Sequence, residues 1–331
     1  MSDTLLQVRD LAVTFETRRG RVQAVSGVDL SVRAGEIVGL VGESGSGKSV
    51  TLRALTRLLH ANARISGQVI WRGEDVLALP ENRLRAIRGR EIAMIFQEPM
   101  TALNPVLSIG RQIDENLVAH GSLDQAGRRR RALELLDMVG IASAAQRLEN
   151  FPHEFSGGQR QRAMIAIALA AEPRLLLADE PTTALDVTIQ DQILKLLMNL
   201  STGLGMAMVL VTHDLGVVAQ SCDRVCVMYA GRVVERGSVE QVFGRPRHAY
   251  TDALLRTMPG FGPSSHTEGA ARARLVPIEG QPPRLDRPIL GCAFAPRCTH
   301  ASAQCEVRPE MVDDGSGHEA ACFAADALVA V

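Results

Sequence analysis

A glycine-rich stretch near the start of the sequence has residue types suited to binding phosphate. Two glycines separated by four residues precede a lysine and a serine; the eight residues are Gly42, Glu43, Ser44, Gly45, Ser46, Gly47, Lys48 and Ser49. Glycines allow consecutive backbone N–H groups to curl around phosphate oxygens. Lys48, one of only two lysines in the chain, supplies a compact ammonium for the β- and γ-phosphates. We predict that this phosphate loop, residues 42–49, binds a nucleoside triphosphate, with the Ser49 hydroxyl on Mg²⁺.

Two carboxylates and a histidine follow apolar runs later in the chain. Residues 175–178 lead into Asp179 and Glu180, and residues 206–212 lead into His213. In a parallel sheet, the carboxyl ends of the strands line one ligand crevice. We therefore expect Asp179 to hold Mg²⁺ and Glu180 to activate the attacking water as a general base. His213 would contact the γ-phosphate and help to hold that water.

A second candidate anion site lies in the middle of the chain. It comprises Ser156, Gly157, Gly158 and Gln159, and it opens a segment with helical spacing. A serine and two glycines at a helix N-terminus present backbone N–H groups to an anion. Taken alone, the segment is more typical of a capped helix start, because one phosphate loop already accounts for one triphosphate. A second phosphate-binding segment therefore needs an explanation from elsewhere in the sequence.

The elements that position these residues follow from the apolar periodicity. Alternation predicts strands over residues 8–15 and 24–32, and short apolar runs predict buried strands over 37–41, 175–178 and 206–211. Helical spacing predicts helices over residues 49–59, 109–117, 132–139, 160–171 and 188–200, and short strands fill 224–235. Strand–helix alternation of this kind indicates a largely parallel α/β sheet.

Three further stretches have a distinct character. Residues 98–158 read as a mostly helical insertion. The arginine run 128–131 lies between two stretches of helical spacing, and we expect it to be a solvated helix face. Residues 257–290 are rich in proline and glycine and predict a linker or irregular structure. Cys222 and Cys226 lie in an apolar stretch, and we expect them to be buried packing residues.

Composition limits the possible functions. The chain has 331 residues, of which 46% are hydrophobic and 22% charged, as is typical of a soluble globular protein. Its 36 basic and 37 acidic residues leave a formal net charge of −1, which argues against bulk electrostatic binding of nucleic acid or anionic lipid. The sequence shows neither an apolar run long enough to span a bilayer nor the pattern of a signal peptide. We therefore expect a cytosolic protein with reduced thiols.

The order of these motifs resembles that of the ATP-binding subunit of ABC transporters. The resemblance covers residues 1–244 and rests on the phosphate loop, Gln97, Ser-Gly-Gly-Gln at 156–159, Asp179-Glu180, Ala184-Leu185-Asp186 and His213. It implies that Gln97 senses Mg²⁺ where the helical insertion joins the core and also contacts the membrane subunits. It further implies that residues 156–159 cradle the γ-phosphate held by a second chain's phosphate loop. The active unit would then be a head-to-tail dimer with ATP between the chains, and Asp186 would lie in a loop that bridges the two sites.

The sequence departs from that family at the adenine contact. The family usually stacks an aromatic residue on adenine near the position of Arg19-Gly20-Arg21-Val22, where this chain has none. The guanidinium of Arg19 and the ring of Phe15 are two alternatives, and the adenine contact stays open.

The C-terminal part resembles the region that follows the ATPase in oligopeptide and dipeptide importers. It contains Arg245-Pro246-Arg247-His248-Ala249-Tyr250-Thr251, where the family commonly has His-Pro-Tyr-Thr, and four cysteines, Cys292, Cys298, Cys305 and Cys322. Peptide, nickel and related small-solute importers share this region, so the solute stays open.

The spacing of the four cysteines suggests a metal. Zinc sites usually take ligands in pairs two to four residues apart, and none of these cysteines is that close to another. Wide spacing suits an iron–sulfur cluster, whose irons offer separate attachment points, and members of the resembling subfamily carry a [4Fe–4S] cluster on four such cysteines. Zinc and free or oxidised thiols are the alternatives. We expect ATP binding to be independent of this segment, because the phosphate loop lies in a separate domain.

The expected fold class is α/β. A P-loop NTPase core (residues 1–244) would carry an N-terminal antiparallel β-subdomain and a helical insertion over about 98–158, and residues 245–331 would form a C-terminal cysteine-rich extension. The expected function is an ATP-hydrolysing subunit that powers peptide import from the cytoplasmic face of the inner membrane. Its expected partners are a second, different ATP-binding subunit, two membrane permeases and an extracytoplasmic solute-binding protein, with no nucleic acid.

Other function classes are possible for these motifs. An importer ATPase for nickel or another small solute would share the C-terminal region. Soluble ABC ATPases of DNA repair or translation usually carry two ATPase cores or long coiled-coil insertions, and this sequence has neither. An inactive regulatory module is disfavoured, because Lys48, Ser156, Glu180 and His213 are all present.

Overall fold

The computed structural model describes residues 4–18, 20–121, 123–183, 185–258 and 277–329. The chain forms two compact units, each assembled from separate stretches of sequence. The first unit comprises Met1–Leu6, Val32–Ile37 and Ile70–Val211; the second comprises Gln7–Ser31, Val38–Val69 and Thr212–Val331. Within the described ranges, no helix is both long enough and apolar enough to cross a membrane.

The strands form a smaller and a larger sheet. Their bounds are β1 Thr4–Thr17, β2 Gly20–Arg33, β3 Ile37–Val41, β4 Ala63–Trp71, β5 Glu74–Asp75, β6 Ile92–Ile95, β7 Leu175–Asp179, β8 Ala207–Val211, β9 Arg224–Tyr229, β10 Arg232–Ser238, β11 Val312–Asp313 and β12 Glu319–Ala320. The smaller sheet has the order β2–β1–β4–β5, with β4 and β5 antiparallel. In β1, Leu6 and Val8 are buried, and after Asp10 with its positive φ of 46° the buried positions become Leu11 and Val13. The two strands predicted near the N-terminus are thus parts of longer ones.

The first unit contains a parallel part of the larger sheet, formed by β6, β7 and β8. Leu175 pairs with Ile92 in β6 and with Ala207 in β8. Every residue of β7 and β8 is buried, as expected of parallel strands that are covered on both faces. The prediction of a parallel α/β fold from the apolar runs is therefore confirmed.

In the second unit, the larger sheet runs in the order β3, β9, β10, β12, β11. β3 pairs with β9 in parallel, with Val38 opposite Arg224, and β9 pairs with β10 in antiparallel fashion. β12 adds to the free side of β10 through the pair of Glu235 and Ala320. The C-terminal segment therefore continues the same sheet that contains the strand before the phosphate loop.

The helices begin and end close to the predicted positions in most cases. Their bounds are α1 Lys48–Leu55, α2 Glu81–Ile87, α3 Pro99–Ala102, α4 Ile109–His120, α5 Gln125–Met138, α6 Ala144–Arg147, α7 Gly157–Leu169, α8 Val187–Leu204, α9 Leu215–Ser221, α10 Val239–Gly244, α11 Ala249–Arg256 and α12 Ala325–Val329, with 3₁₀ turns at Pro152–Glu154, Ala295–Arg297 and Ala303–Glu306. The helix predicted over residues 49–59 ends early, because Arg57 has a positive φ of 53° that a right-handed helix cannot accommodate. α8 continues to Leu204, where Gly205 ends it in the left-handed conformation.

The arginine run lies inside α5, so the prediction that it is part of a helix face is confirmed, and the helix begins before the apolar spacing that starts at Ala132. Arginine is a good helix former, so a run of four does not interrupt a helix. The Arg128 guanidinium lies 2.6 Å from the Asp114 carboxylate of α4, and that of Arg131 lies 3.0 Å from Glu172. Arg128 and Arg131 therefore hold α5 to α4 and to the segment after α7, whereas Arg129 and Arg130 face solvent.

An aromatic cluster forms part of the core of the second unit. Tyr229 lies 4.6 Å from Tyr250 and 5.3 Å from Phe294, measured between ring centres. The cluster joins β9, α11 and the C-terminal extension. Cys226 is buried nearby in β9, as predicted. Cys222 is partly buried. This burial, with a smaller effect from the charge of Asp223, raises the pKa of its thiol to about 12.

Candidate functional site

The phosphate loop connects β3 to α1 in the second unit. Gly42 has a φ of 147°, and a Cβ there would lie 2.1 Å from the carbonyl oxygen of Met228. Glycine is therefore required at this position, because any side chain would meet the neighbouring backbone. Lys48 is buried, and its Nζ donates to the carbonyl oxygens of Gly42 (2.8 Å) and Glu43 (2.9 Å). The loop is thus folded around the lysine predicted to bind phosphate.

Glu43 is held by the C-terminal part of the chain. Its N–H donates to the Tyr250 hydroxyl over 2.8 Å. Its carboxylate accepts two hydrogen bonds from Arg297, at 2.8 Å from Nη1 and 3.0 Å from Nη2. The hydrogen bond to Glu43 raises the pKa of Arg297, and burial raises the pKa of Tyr250, so the guanidinium stays charged and the phenol stays neutral. These contacts join the phosphate loop to the extension, which the sequence predicted to be independent of it.

His213 lies in the second unit and is exposed. The residue before it, Thr212, donates its N–H to the carbonyl oxygen of Leu40 in β3 over 3.4 Å. The residue after it, Asp214, caps α9 by accepting from the N–H of Gly216 at 2.8 Å. His213 is therefore held between Thr212, which is bonded to β3, and Asp214, which caps α9. The bonded residue of β3, Leu40, lies two residues before the start of the phosphate loop.

Asp179 and Glu180 lie at the carboxyl end of β7 in the first unit. Asp179 is fully buried. Glu180 has a positive φ of 45°, and its N–H donates to the carbonyl oxygen of Val211 over 3.1 Å. Its Oε2 accepts from Gln97 Nε2 at 3.1 Å and from the Thr183 hydroxyl at 2.9 Å. A glutamate in a strained backbone conformation with two side-chain donors is held in one orientation, as a general base requires.

Residues 156–159 and Asp186 begin two helices of the first unit. The Ser156 hydroxyl accepts from the N–H of Gln159 at 3.3 Å, and the Gln159 side chain accepts from the N–H of Ser156 at 3.0 Å, which together form a capping box for α7. Ser156 and Gly157 are exposed. Asp186 caps α8 by accepting from the N–H of Ile189 at 3.0 Å. Both helix starts are therefore ordered and open to solvent.

The predicted residues are divided between the two units. Gln97, residues 156–159, Asp179, Glu180 and Asp186 lie in the first unit, and residues 42–49, His213 and the four C-terminal cysteines lie in the second. Within the first unit, the structure brings Gln97 to Glu180. Of the adenine alternatives, Phe15 lies in β1, whereas Arg19 lies outside the described residues, as does Ala184 of the Asp186 motif.

Sequence reasoning misses three residues that position the site. Tyr250 and Arg297 are 207 and 254 residues away from Glu43 in the chain, so no local pattern indicates the contacts. Thr183 follows Glu180 by three residues, and this spacing is the only signal that its hydroxyl reaches the carboxylate.

The four C-terminal cysteines influence one another electrostatically. Burial raises the pKa of Cys292, and the nearby thiols of Cys305 and Cys322 raise it further, against lowering by backbone N–H groups. Burial likewise raises the pKa of Cys298, with additional contributions from the other three thiols. Among the residues that the structure describes, no group of three or more His, Cys, Asp or Glu side chains is arranged to hold a metal ion.

Two regions of the sequence match protein families. Residues 25–183 match the family described as ABC transporter, and residues 234–305 match the family described as oligopeptide/dipeptide transporter, C-terminal region. The first region includes the phosphate loop and Glu180. The second includes Tyr250 and Arg297, the two residues that hold Glu43.

Individual relatives are similar over nearly the whole chain. A probable peptide ABC transporter ATP-binding protein of Sinorhizobium fredii is 48% identical over 99% of this chain and 97% of its own. The oligopeptide transport ATP-binding protein OppD of Escherichia coli is 47% identical over 97% of this chain and 94% of its own. Among solved structures, the dimeric post-hydrolysis state of the ATP-binding cassette MJ0796 bound to ADP and Pi has a TM-score of 0.64 at 31% identity, over 71% of this chain and 98% of that one.

Proposed function

This chain belongs to the ABC transporter ATP-binding proteins, and from that membership we propose that it hydrolyses ATP to power the import of peptides. One observation carries the proposal: an ABC transporter region and an oligopeptide/dipeptide transporter C-terminal region lie on the same chain. The names of the relatives support peptides as the solute. We divide the chain into an ATPase domain, residues 1–244, and an extension, residues 245–331.

The phosphate loop is assigned to the triphosphate, and Ser49, Gln97 and Asp179 to Mg²⁺. A hydroxyl, an amide oxygen and a carboxylate are the hard oxygen ligands that Mg²⁺ prefers. Gln97 directs its amide nitrogen to Glu180, so its amide oxygen points elsewhere and suits a cation. When bound, Mg²⁺ neutralises charge on the phosphate oxygens. The Lys48 ammonium adds a positive charge that the protein itself supplies.

Glu180 is assigned as the general base. It accepts a proton from water as the water oxygen forms a bond to the γ-phosphorus, and the bond from that phosphorus to the β-phosphate oxygen breaks, which yields ADP and phosphate. The donors Gln97 and Thr183 orient the carboxylate for this step. His213 is assigned to contact the γ-phosphate and hold the water.

A second ATP-binding chain completes the proposed site. The capped, exposed start of α7 at Ser156 presents backbone N–H groups to an anion, which supports binding of the γ-phosphate held by the other chain. Asp186 would lie in the loop that links the two sites. We propose a heterodimer of two different ATP-binding subunits at the cytoplasmic face of the membrane, with two permeases and an extracytoplasmic solute-binding protein.

Replacement of the general base tests the function. In the complex assembled with its permeases and solute-binding protein, Glu180→Gln should bind ATP normally, and its rate of ATP hydrolysis should fall by a factor on the order of 10² or more. Peptide uptake into vesicles should stop with it. The matched control is Glu172→Gln, because Glu172 is exposed and also has a positive φ, of 55°; this variant should keep normal turnover.

Two results would contradict the proposal. Normal turnover in Glu180→Gln would remove Glu180 from the base role. If nickel or another small solute stimulates ATP hydrolysis and peptides do not, that solute would replace peptides as the transported substrate.

We also propose that Cys292, Cys298, Cys305 and Cys322 hold a [4Fe–4S] cluster. The N–H of Cys292 donates to the carbonyl oxygen of Cys305 at 2.9 Å, which brings two of the four cysteines together, and separate irons suit widely spaced cysteines better than one zinc ion does. When bound, the cluster contributes folding free energy to a segment with few regular elements.

Metal analysis of protein purified without oxygen tests the cluster. We expect a brown protein with about four irons per chain, and we expect Cys298→Ser to lose the colour and the iron. Cys222→Ser is the control, because Cys222 lies outside the four-cysteine segment, and it should keep the iron. One zinc per chain would support a structural zinc site in its place, and finding neither metal would exclude both.

A further inference from the structure

Arg297 uses every hydrogen-bond donor of its guanidinium. Nε donates to the carbonyl oxygen of Glu279 at 2.9 Å, and Nη2 donates to that of Ile278 at 3.3 Å. Nη1 donates to the Tyr229 hydroxyl at 3.2 Å. The remaining two donors bind the two carboxylate oxygens of Glu43 at 2.8 and 3.0 Å. Because five donors meet five acceptors, the head group is fixed in one position.

The Arg297 side chain is largely shielded from water by its surroundings. The side chain is 5% exposed, and the guanidinium carbon lies 5.9 Å from the ring centres of both Tyr229 and Phe294. A bidentate pair in such a setting has stricter geometry than a surface ion pair. Arg297 is followed directly by Cys298. One short stretch of chain therefore carries both a cysteine of the extension and the partner of the phosphate loop.

Glu43 passes this restraint on to the phosphate loop. Its carboxylate binds Arg297, its N–H binds Tyr250, and its carbonyl oxygen accepts from Lys48 Nζ at 2.9 Å. All three polar groups of residue 43 are thus engaged. A shift of the Arg297 head group therefore moves the peptide that anchors the phosphate-binding lysine.

We propose that Arg297 is a positioning residue for ATP binding. By fixing Glu43, it sets the conformation of the phosphate loop and couples the segment around Cys298 to nucleotide affinity. The inference rests on the proposed ATPase function and adds a regulatory contact to the same site. Such coupling is reciprocal: if the segment changes ATP affinity, ATP binding changes the opening of the segment by the same factor.

Nucleotide affinity of the full chain is the first test. Displacement of a fluorescent ATP analogue by ATP is measured for the wild type, Arg297→Met, Glu43→Gln and the double variant. Each single variant should weaken ATP binding about tenfold, within the usual range for coupled sites. The double variant should lose no more ATP affinity than the weaker-binding single variant, because both changes remove the same contact between Glu43 and Arg297. Arg297→Lys should recover only part of the affinity, since an ammonium cannot form two parallel bonds.

A matched control and a second measurement separate positioning from a general structural role. Arg284→Met removes an exposed arginine of the same extension that also binds a carboxylate, Asp286, and should leave ATP affinity unchanged. The backbone N–H groups of Cys292 and Cys298 are bonded within the segment, to Cys305 and Ala295, so hydrogen exchange reports its opening. ATP should slow this exchange in the wild type and not in Arg297→Met.

Several results would overturn the proposal. Unchanged ATP affinity in Arg297→Met and Glu43→Gln would do so, as would exchange in the wild type that does not respond to ATP. If Arg297→Met fails to fold, Glu43→Gln decides, because that side chain is partly exposed and its amide has nearly the same shape. If the wild-type chain itself does not bind ATP, the proposed function fails before this inference is reached.

Discussion

Acidification should destabilise the start of α11 through His248. The ring of His248 is buried, and its Nδ1 accepts the N–H of Tyr250 at 3.0 Å, which caps the helix. Burial lowers the pKa of His248 from 6.5 to about 4, because a charged ring would be removed from water. Protonation of Nδ1 would in addition remove the acceptor of the helix cap.

Linkage between proton binding and folding gives the sign and size of this effect. Between pH 6.5 and 4, the unfolded chain binds a proton at His248 and the folded chain does not. The stability is therefore unaffected above pH 6.5 and falls as the pH decreases toward 4. At 1.36 kcal/mol per pH unit, the loss over this interval is about 3 kcal/mol. Below pH 4 both states bind the proton, so the loss grows no further.

Urea unfolding over this pH interval tests the prediction. Tyrosine near-ultraviolet circular dichroism reports on this region, because Tyr229 and Tyr250 are the only tyrosines of the chain and pack against each other. His248→Asn keeps an acceptor for the helix cap but cannot take up a proton, so its stability should lack this pH-dependent loss. His60→Asn, at an exposed position, should behave as the wild type. If His248→Asn loses as much stability as the wild type toward pH 4, burial of His248 is not the cause.

Two further predictions concern a buried carboxylate and a loop glycine. Glu235 is fully buried and accepts hydrogen bonds from two backbone N–H groups at the start of α11, at 2.7 and 2.9 Å, while its Oε1 lies 2.8 Å from the His318 ring. Glu235→Gln leaves a buried donor unsatisfied and should lower the free energy of unfolding in urea by roughly 1–3 kcal/mol. The exposed control Glu240→Gln should change it little. Gly42→Ala should abolish ATP binding in a displacement assay, because its Cβ would lie 2.1 Å from a backbone oxygen. Gly35→Ala lies outside the phosphate loop and has open space around its Cβ, so it should keep ATP binding and cost only about 1–2 kcal/mol of stability from its positive φ. Equal losses within either pair would contradict the corresponding explanation.

The parts of the fold that the sequence predicts are those with local causes. β7 and β8 are continuous apolar runs, and buried parallel strands need such runs, so Asp179 at the end of β7 is predictable. α7 begins at Gly157, three residues before the predicted start, because the Ser156 capping box fixes the first turn before the apolar periodicity begins. Boundaries of this kind depend on hydrogen bonds at the helix end and not on the apolar pattern.

The parts that the sequence does not predict depend on distant contacts or on very short elements. The pairing of Glu43 with Arg297 joins residues 254 apart, and either residue alone is an ordinary polar side chain in a loop. β11 and β12 have two residues each, which is too short for any periodicity. Their place beside β10 is determined by pairing and by the buried Glu235, whose partners come from two separate segments, one at residues 247–248 and one at His318.

The discontinuous make-up of the two units sets an order of folding during protein synthesis. Every stretch of the first unit has been synthesised once Val211 is added, but Arg297 lies 86 residues further along the chain. At about 5–20 residues per second, the ribosome needs about 4–17 s to reach it. During this interval, Glu43 has neither Arg297 nor, at first, Tyr250 as a partner. The nucleotide-binding loop, though encoded near the start of the chain, is therefore among the last parts of the protein to gain its full set of contacts.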